Sequence, residues 1–145
     1  MKTLTTAVAL TTAMLVSSAA AAESFTIFVY ERPADLALRS DTTSRGQAYW
    51  ADYARFADAL QKAGAIRGGA PLQLPQQGRV IRSGGPSRGV DGALGAGGLH
   101  LGGYFNIEAP DLDAAAALAA QAPSVRRGGA AEVRATYPAP AMSAR

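Results

Sequence analysis

The chain has 145 residues, with 14 Lys and Arg against 11 Asp and Glu, a formal net charge of +3 and no Cys. This small and scattered charge argues against a nucleic-acid-binding surface, and the lack of Cys excludes a disulfide-stapled domain and a lipid-anchored lipoprotein. With a single His and no Cys, a transition-metal site made only of protein ligands is not expected. No cofactor is predicted.

The N-terminal segment, residues 1–22, is predicted to be a secretory signal peptide. Lys2 precedes an apolar run over residues 4–16, and small residues ending in three alanines at 20–22 follow, which is the order of parts in such a signal. The run is shorter than the ~20 residues that span a bilayer, so no stable membrane insertion is expected after cleavage. Only one charge is lost with it, and the mature protein, starting near Glu23 with net charge +2, is expected in the periplasm or outside the cell.

Residues 23–137 are predicted to form one domain, and residues 138–145 a flexible tail. A β-branched and aromatic run over residues 25–30 predicts the first strand. Ser44 and Gln47 then fit a capping box at the start of a helix. Bulky side chains recur on one face of this helix, at Tyr49, Tyr53, Phe56 and Leu60. We interpret this stripe as core and not as a cofactor site.

Four further elements complete the predicted domain. Residues 79–82 and 99–107 predict two strands, Asp111 is expected to cap a second helix that ends at Pro123, and residues 131–137 predict a last strand. The order βαββαβ is that of the ferredoxin-like split βαβ unit. The predicted fold class is therefore α+β.

Residues 89–105 contain seven glycines in seventeen positions. Gly92 and Gly97 have the spacing of a P-loop, but Gly98 and Leu99 stand where the Lys and the hydroxyl residue should follow. A dinucleotide-binding fingerprint is also excluded, because the glycines precede a strand and do not open a helix. The preferred interpretation is the flexible remnant of a family motif.

Four passages in the same order resemble the YCII-related family, in its DGPF-type branch. They are AGAIRGGAPLQ (63–73), VDGALGAGGLHLGGY (90–104), LGGYFNIEAPDLDAAAALAAQAP (101–123) and AEVR (131–134). The motif keeps Asp91 and Gly92, but Ala93 and Leu94 replace its usual Pro and Phe, so we regard it as eroded. The resemblance implies a homodimer in which two sheets pack face to face as a dimeric α+β barrel around a cleft.

Alternation along the predicted strands gives the sheet one apolar and one polar-aromatic face. The polar-aromatic face, which would line the barrel cleft, supplies the candidate ligand-binding residues: Tyr30, His100, Tyr104, Glu132 and Arg134. Glu132 and Arg134 could hold a small organic acid, although pairing with each other is the favoured interpretation.

Two residues are candidates for catalysis, and whether the protein is an enzyme stays open. His100 has the side chain suited to proton transfer near neutrality, although a structural role at the dimer interface is favoured. Asp91 lies in a DG dipeptide, which is more typical of a turn. The preferred hypothesis is a small-molecule-binding protein without strong catalysis. The alternative is an enzyme of the lyase, isomerase or dehalogenase kind with His100 as proton carrier, which a carboxylate within reach of His100 in an enclosed pocket would favour.

Overall fold

The computed structural model describes residues 21–83, 85–88 and 97–137. The expectations for the signal sequence at residues 1–20, for the glycine-rich remnant at 89–96 with Asp91, and for the tail at 138–145 lie outside these ranges. The elements in chain order are β1 (Glu23–Glu31), α1 (Pro33–Leu36), a 3₁₀ turn (Ala37–Ser40), α2 (Ser44–Lys62), β2 (Ile66–Pro71), a second 3₁₀ turn (Pro75–Gln77), β3 (Arg79–Arg82), β4 (Gly85–Arg88), β5 (His100–Ala109), α3 (Leu112–Ala119), α4 (Pro123–Arg126) and β6 (Ala130–Ala135).

Four strands form one sheet in the order β2-β5-β1-β6, and all neighbouring strands are antiparallel. Helices α2 and α3 share one apolar core with the same sheet face. This arrangement confirms the predicted α+β, ferredoxin-like fold. None of the helices in the described ranges is long and apolar enough to cross a membrane.

The predicted second strand, residues 79–82, is not part of this sheet. It pairs with β4 in a separate hairpin, and β2 takes the edge position beside β5. The β2 sequence IRGGAP has few residues that favour strands, but an edge strand tolerates glycine and proline. Gly69 is needed there, because a Cβ at this position would lie 2.5 Å from the carbonyl oxygen of Tyr104.

One of the two predicted helix caps is confirmed, and the other is formed by the preceding residue. The side chain of Thr43, and not that of Ser44, caps α2 by accepting a hydrogen bond from the backbone N–H of Arg45. The predicted cap of α3 is confirmed, since Asp111 accepts a hydrogen bond of 2.8 Å from the backbone N–H of Ala114. Both caps satisfy backbone donors that the first helical turn leaves free.

The core lies between the sheet and the two longer helices. The predicted alternation of β1 is confirmed, and its buried side chains pack with those of α2, α3 and β5; the largest are Phe25, Ile27, Val29, Phe56, Leu60 and Ile107. Tyr49 of the helix stripe is also fully buried. The predicted last strand, residues 131–137, ends earlier than expected, since Tyr137 lies beyond the end of β6 and is 87% exposed.

One extra residue in β5 changes which side chains share a face. Val29 pairs with Gly103 but Tyr30 pairs with Leu101, so Gly102 is the additional residue of a β-bulge. Beyond the bulge the alternation is reversed, and His100 pairs with Glu31, whose side chain lies on the core face. The prediction that His100 belongs to the polar-aromatic face is therefore wrong.

Candidate functional site

A buried carboxylate ends β1 and organises the candidate site. Glu31 follows Phe25, Ile27 and Val29 on the core face, and its side chain is fully buried. The Tyr49 and Tyr53 hydroxyls donate hydrogen bonds to its Oε1 atom, both at 2.8 Å, and its Oε2 atom is paired with Arg39. A buried carboxylate is costly unless it is paired and hydrogen-bonded, and the three donors around Glu31 meet that requirement.

Arg39 joins three parts of the fold at this carboxylate. From the 3₁₀ turn it donates through Nε to the Tyr49 hydroxyl oxygen (2.8 Å), through Nη1 to the carbonyl of Leu72, and through Nη2 to the carbonyl of Gly102 (2.8 Å) as well as to Glu31. Position 102 must be glycine, because a Cβ there would lie 2.0 Å from Oε2 of Glu31. The bulge thus makes room for the buried ion pair.

The two tyrosines are neutral donors in this cluster. Burial, followed by the negative charge of Glu31, raises the pKa of both Tyr49 and Tyr53 far above the ordinary value for a phenol. Their hydroxyl protons are directed at Glu31. Neither tyrosine is therefore available as a base near neutral pH.

An apolar pocket of about 110 Å³ lies beside this cluster, between α2 and the β2–β5 edge of the sheet. Aromatic rings form much of its wall, and small residues of the glycine-containing strands β2 and β5, with Ala70 and Pro71 among them, form much of the rest. The larger side chains that line it are Val29, Arg39, Tyr49, Trp50, Tyr53 and Phe105. Trp50 is 41% exposed, so its ring forms the part of the wall that solvent reaches.

Four of the five predicted ligand-binding residues lie together on the opposite face of the sheet. Tyr30 donates a hydrogen bond of 3.1 Å to Glu132 Oε2, and Arg134 donates one of 2.6 Å to Glu132 Oε1. These two bonds, that of Arg134 first, hold the pKa of Glu132 below its ordinary value. Tyr104 shares this face because it pairs with Phe28, as does Glu132. The expected pairing of Glu132 with Arg134 is confirmed.

His100 lies apart from both of these groups. It contributes to a cavity of about 180 Å³ on the helix side, with Pro33, Leu36, Leu74 and Pro75 among its neighbours. Within residues 21–83, 85–88 and 97–137, no carboxylate forms an ion pair with His100. The same ranges contain no group of three or more His, Cys, Asp or Glu side chains that could hold a metal ion.

Two charged residues at or beside the pocket, Arg39 and Glu31, were not predicted as site residues from the sequence. The sequence pattern does indicate a buried position for Glu31, since strict alternation from Phe25 places it on the apolar face of β1. A charged residue at such a position indicates a buried partner. No sequence pattern indicates a buried position for Arg39, because it lies in a short turn whose position depends on the rest of the fold.

Residues 24–138 match the YCII-related domain. Since the match covers most of the chain, the protein belongs to the YCII-related family. Among solved structures, the chain is similar to the 5-chloro-2-hydroxyhydroquinone dehydrochlorinase (TftG) from Burkholderia phenoliruptrix AC1100, solved in complex with 2,5-dihydroxybenzoquinone. The identity is 19% and the TM-score 0.44, over 77% of this chain and 90% of that chain. No curated protein sequence matches the chain significantly.

Proposed function

We propose that the protein binds a small molecule, without strong catalysis, in the pocket between α2 and the β2–β5 edge of the sheet. The observation that carries this proposal is an apolar pocket beside a carboxylate whose two oxygens are already hydrogen-bonded by Arg39, Tyr49 and Tyr53. General acid–base catalysis needs a titratable group free to exchange a proton with the ligand. Here Glu31 is fully buried and its hydrogen-bonding capacity is used by Arg39 and the two tyrosines, so the cluster acts as a rigid support.

The enzyme alternative, with His100 as proton carrier, has less support. His100 lies in a different cavity from the aromatic pocket, and no carboxylate of the described residues pairs with it. Proton transfer by an isolated His is possible in principle, but a second group normally fixes the tautomer and orientation of the ring. The binding hypothesis is therefore preferred.

A ligand screen with a pocket variant tests the binding proposal. We expect at least one small organic compound to stabilise the protein in thermal unfolding, by about 1.4 kcal/mol at a tenfold excess over Kd. Trp50→Ala removes a wall of the pocket and should weaken the binding of that compound about tenfold. Leu112→Ala is the matched control, because Leu112 is an exposed apolar residue on α3 outside the pocket.

Two results of the screen would contradict the proposal. One is the failure of every compound to stabilise the wild type. The other is a compound that stabilises the wild type and Trp50→Ala equally, since such a ligand would occupy a different site.

We also propose that the protein is an exported member of the DGPF-type branch, with an eroded motif at Asp91 and Gly92. The support is the composition of residues 1–22 and the order of the four passages that resemble the family. N-terminal sequencing of the native protein should give a mature start near Glu23. Recovery of a chain that retains Met1 would overturn the export proposal.

A further inference from the structure

We propose that the ligand of this pocket is a neutral, monocyclic aromatic molecule that carries one hydrogen-bond-accepting oxygen. This inference rests on the binding function proposed above and specifies its ligand class. It follows from three properties of the pocket: its size and walls, its charge balance, and one unused hydrogen-bond donor.

The size and the walls of the pocket suit a single ring. The volume of about 110 Å³ is of the order of the engineered cavity of ~150 Å³ that binds benzene. Tyr49, Trp50, Tyr53 and Phe105 line it, and the rings of Tyr49 and Trp50 meet edge to face with centroids 5.1 Å apart. Aromatic pairs gain stability beyond the area that they bury, so these walls favour an aromatic ligand over an aliphatic one of equal size.

The charge balance favours a neutral ligand. Arg39 is the single charged side chain among the described residues that line the pocket, and Glu31 already neutralises it. A bound carboxylate would place a second negative charge beside this pair in an apolar pocket, which is costly. A bound cation would find both oxygens of Glu31 already occupied.

One donor of Arg39 remains for the ligand. A guanidinium has five N–H groups, and the described residues take four of them: Nε at Tyr49, one Nη1 hydrogen at Leu72, and two Nη2 hydrogens at Glu31 and Gly102. The second Nη1 hydrogen has no partner within the described part of the chain. A carbonyl or similar oxygen on the ligand would accept it, and would fix the orientation of the ring in the pocket.

Three probes of similar shape test this ligand class. Benzamide carries the predicted neutral acceptor, benzoate replaces it by a negative charge, and cyclohexanecarboxamide keeps the amide but lacks the aromatic ring. Trp50 is the only Trp of the chain and lies at the pocket, so its fluorescence reports binding to the purified protein directly. We expect benzamide to bind about tenfold more tightly than benzoate at neutral pH and severalfold more tightly than cyclohexanecarboxamide.

Calorimetric titration of two variants separates the contribution of the aromatic wall. Trp50→Leu keeps an apolar wall and should weaken benzamide binding more than cyclohexanecarboxamide binding. Leu112→Ala should leave the affinities for all three probes unchanged.

The possible outcomes distinguish this inference from the binding function itself. Benzoate binding as tightly as benzamide would overturn the neutral class, and equal binding of cyclohexanecarboxamide would overturn the aromatic class, while the binding function would stand in both cases. Failure of all three probes to bind at millimolar concentrations would overturn the ligand class, and the wider screen with Trp50→Ala would still decide whether the pocket binds small molecules.

Discussion

Glu31 places a charge inside the apolar layer of the protein, and its neighbours compensate for that charge. Arg39, Tyr49 and Tyr53 supply hydrogen bonds from the 3₁₀ turn and α2. These bonds fix the orientation of two of the aromatic rings that line the pocket, those of Tyr49 and Tyr53. A single side chain at the end of β1 thus helps to set the shape of the pocket.

Replacing this carboxylate tests its role in stability. Glu31→Gln removes the negative charge and leaves Arg39, whose side chain is 12% exposed, without its counter-ion. We expect the free energy of unfolding to fall by about 3–5 kcal/mol, as for other buried pairs that lose one partner. Urea denaturation followed by circular dichroism measures this change.

The corresponding change at an exposed ion pair provides the control. Asp58→Asn breaks a pair with Lys62 on the surface of α2, where the two side chains are 58% and 77% exposed, and should change stability little. Equal losses of unfolding free energy in the two variants would contradict a larger contribution of the buried cluster to stability.

An ion pair between Arg127 and Asp52 connects α2 to the segment that leads into β6. Arg127 donates a hydrogen bond to Asp52, and its guanidinium carbon lies 5.7 Å from the centroid of the Tyr49 ring. The hydrogen bond from Arg127 holds the pKa of Asp52 below its ordinary value. The helix that presents the pocket aromatics is thus fixed on a second side.

This pair should make part of the stability depend on pH. A carboxyl group whose pKa is lowered by folding adds stability above its unfolded pKa of ~3.9, and this stability is lost as the pH falls through the folded pKa. We therefore expect Arg127→Met to destabilise the protein by about 1 kcal/mol near pH 6, and the difference from wild type to shrink as the pH falls below the unfolded pKa of ~3.9 and through the lowered folded pKa. Urea denaturation of both proteins at several pH values measures this difference in the free energy of unfolding.

A helix-surface pair serves as the comparison for Arg127→Met. Lys62→Met breaks an exposed contact with Asp58 and should cause little change at any pH. A difference between wild type and Arg127→Met that stayed constant with pH would contradict the assigned role of Asp52.

The type of each secondary-structure element could be predicted from the sequence better than the pairing of the strands. Alternation in β1 and the caps of the helices depend on neighbouring residues, so they are visible locally. The edge strand β2 was missed because its glycines fit only against the backbone of β5. The Gly102 bulge was missed because an extra residue shows only in the register with β1, and this error moved His100 to the wrong face.

For the whole molecule, the sheet face opposite the helices is the expected interface of a homodimer. Phe28, Tyr30 and Tyr104 lie there half-buried, while α2 and α3 pack on the other face. We expect light scattering to give the mass of a dimer, and Phe28→Glu to produce monomers because it places a second negative charge beside Glu132 within the interface.

The corresponding charge on a helix tests whether this effect is specific to the sheet. Leu112→Glu alters an exposed apolar residue of α3 and should leave the dimer intact. A wild-type protein that is monomeric at all concentrations would contradict the predicted assembly.

The position of β1 in the sheet determines when the chain can fold during its synthesis. β1 is the first strand to be made, yet it lies between β5 and β6, the last two. Phe25 pairs with Ile107 on one side and with Ala135 on the other. Such distant contacts form late, because closing the long intervening chain costs entropy before any pairing stabilises it. A nascent chain therefore cannot complete this sheet until β6 has left the ribosome, so we expect the sheet to close only after nearly all of the chain has been synthesised.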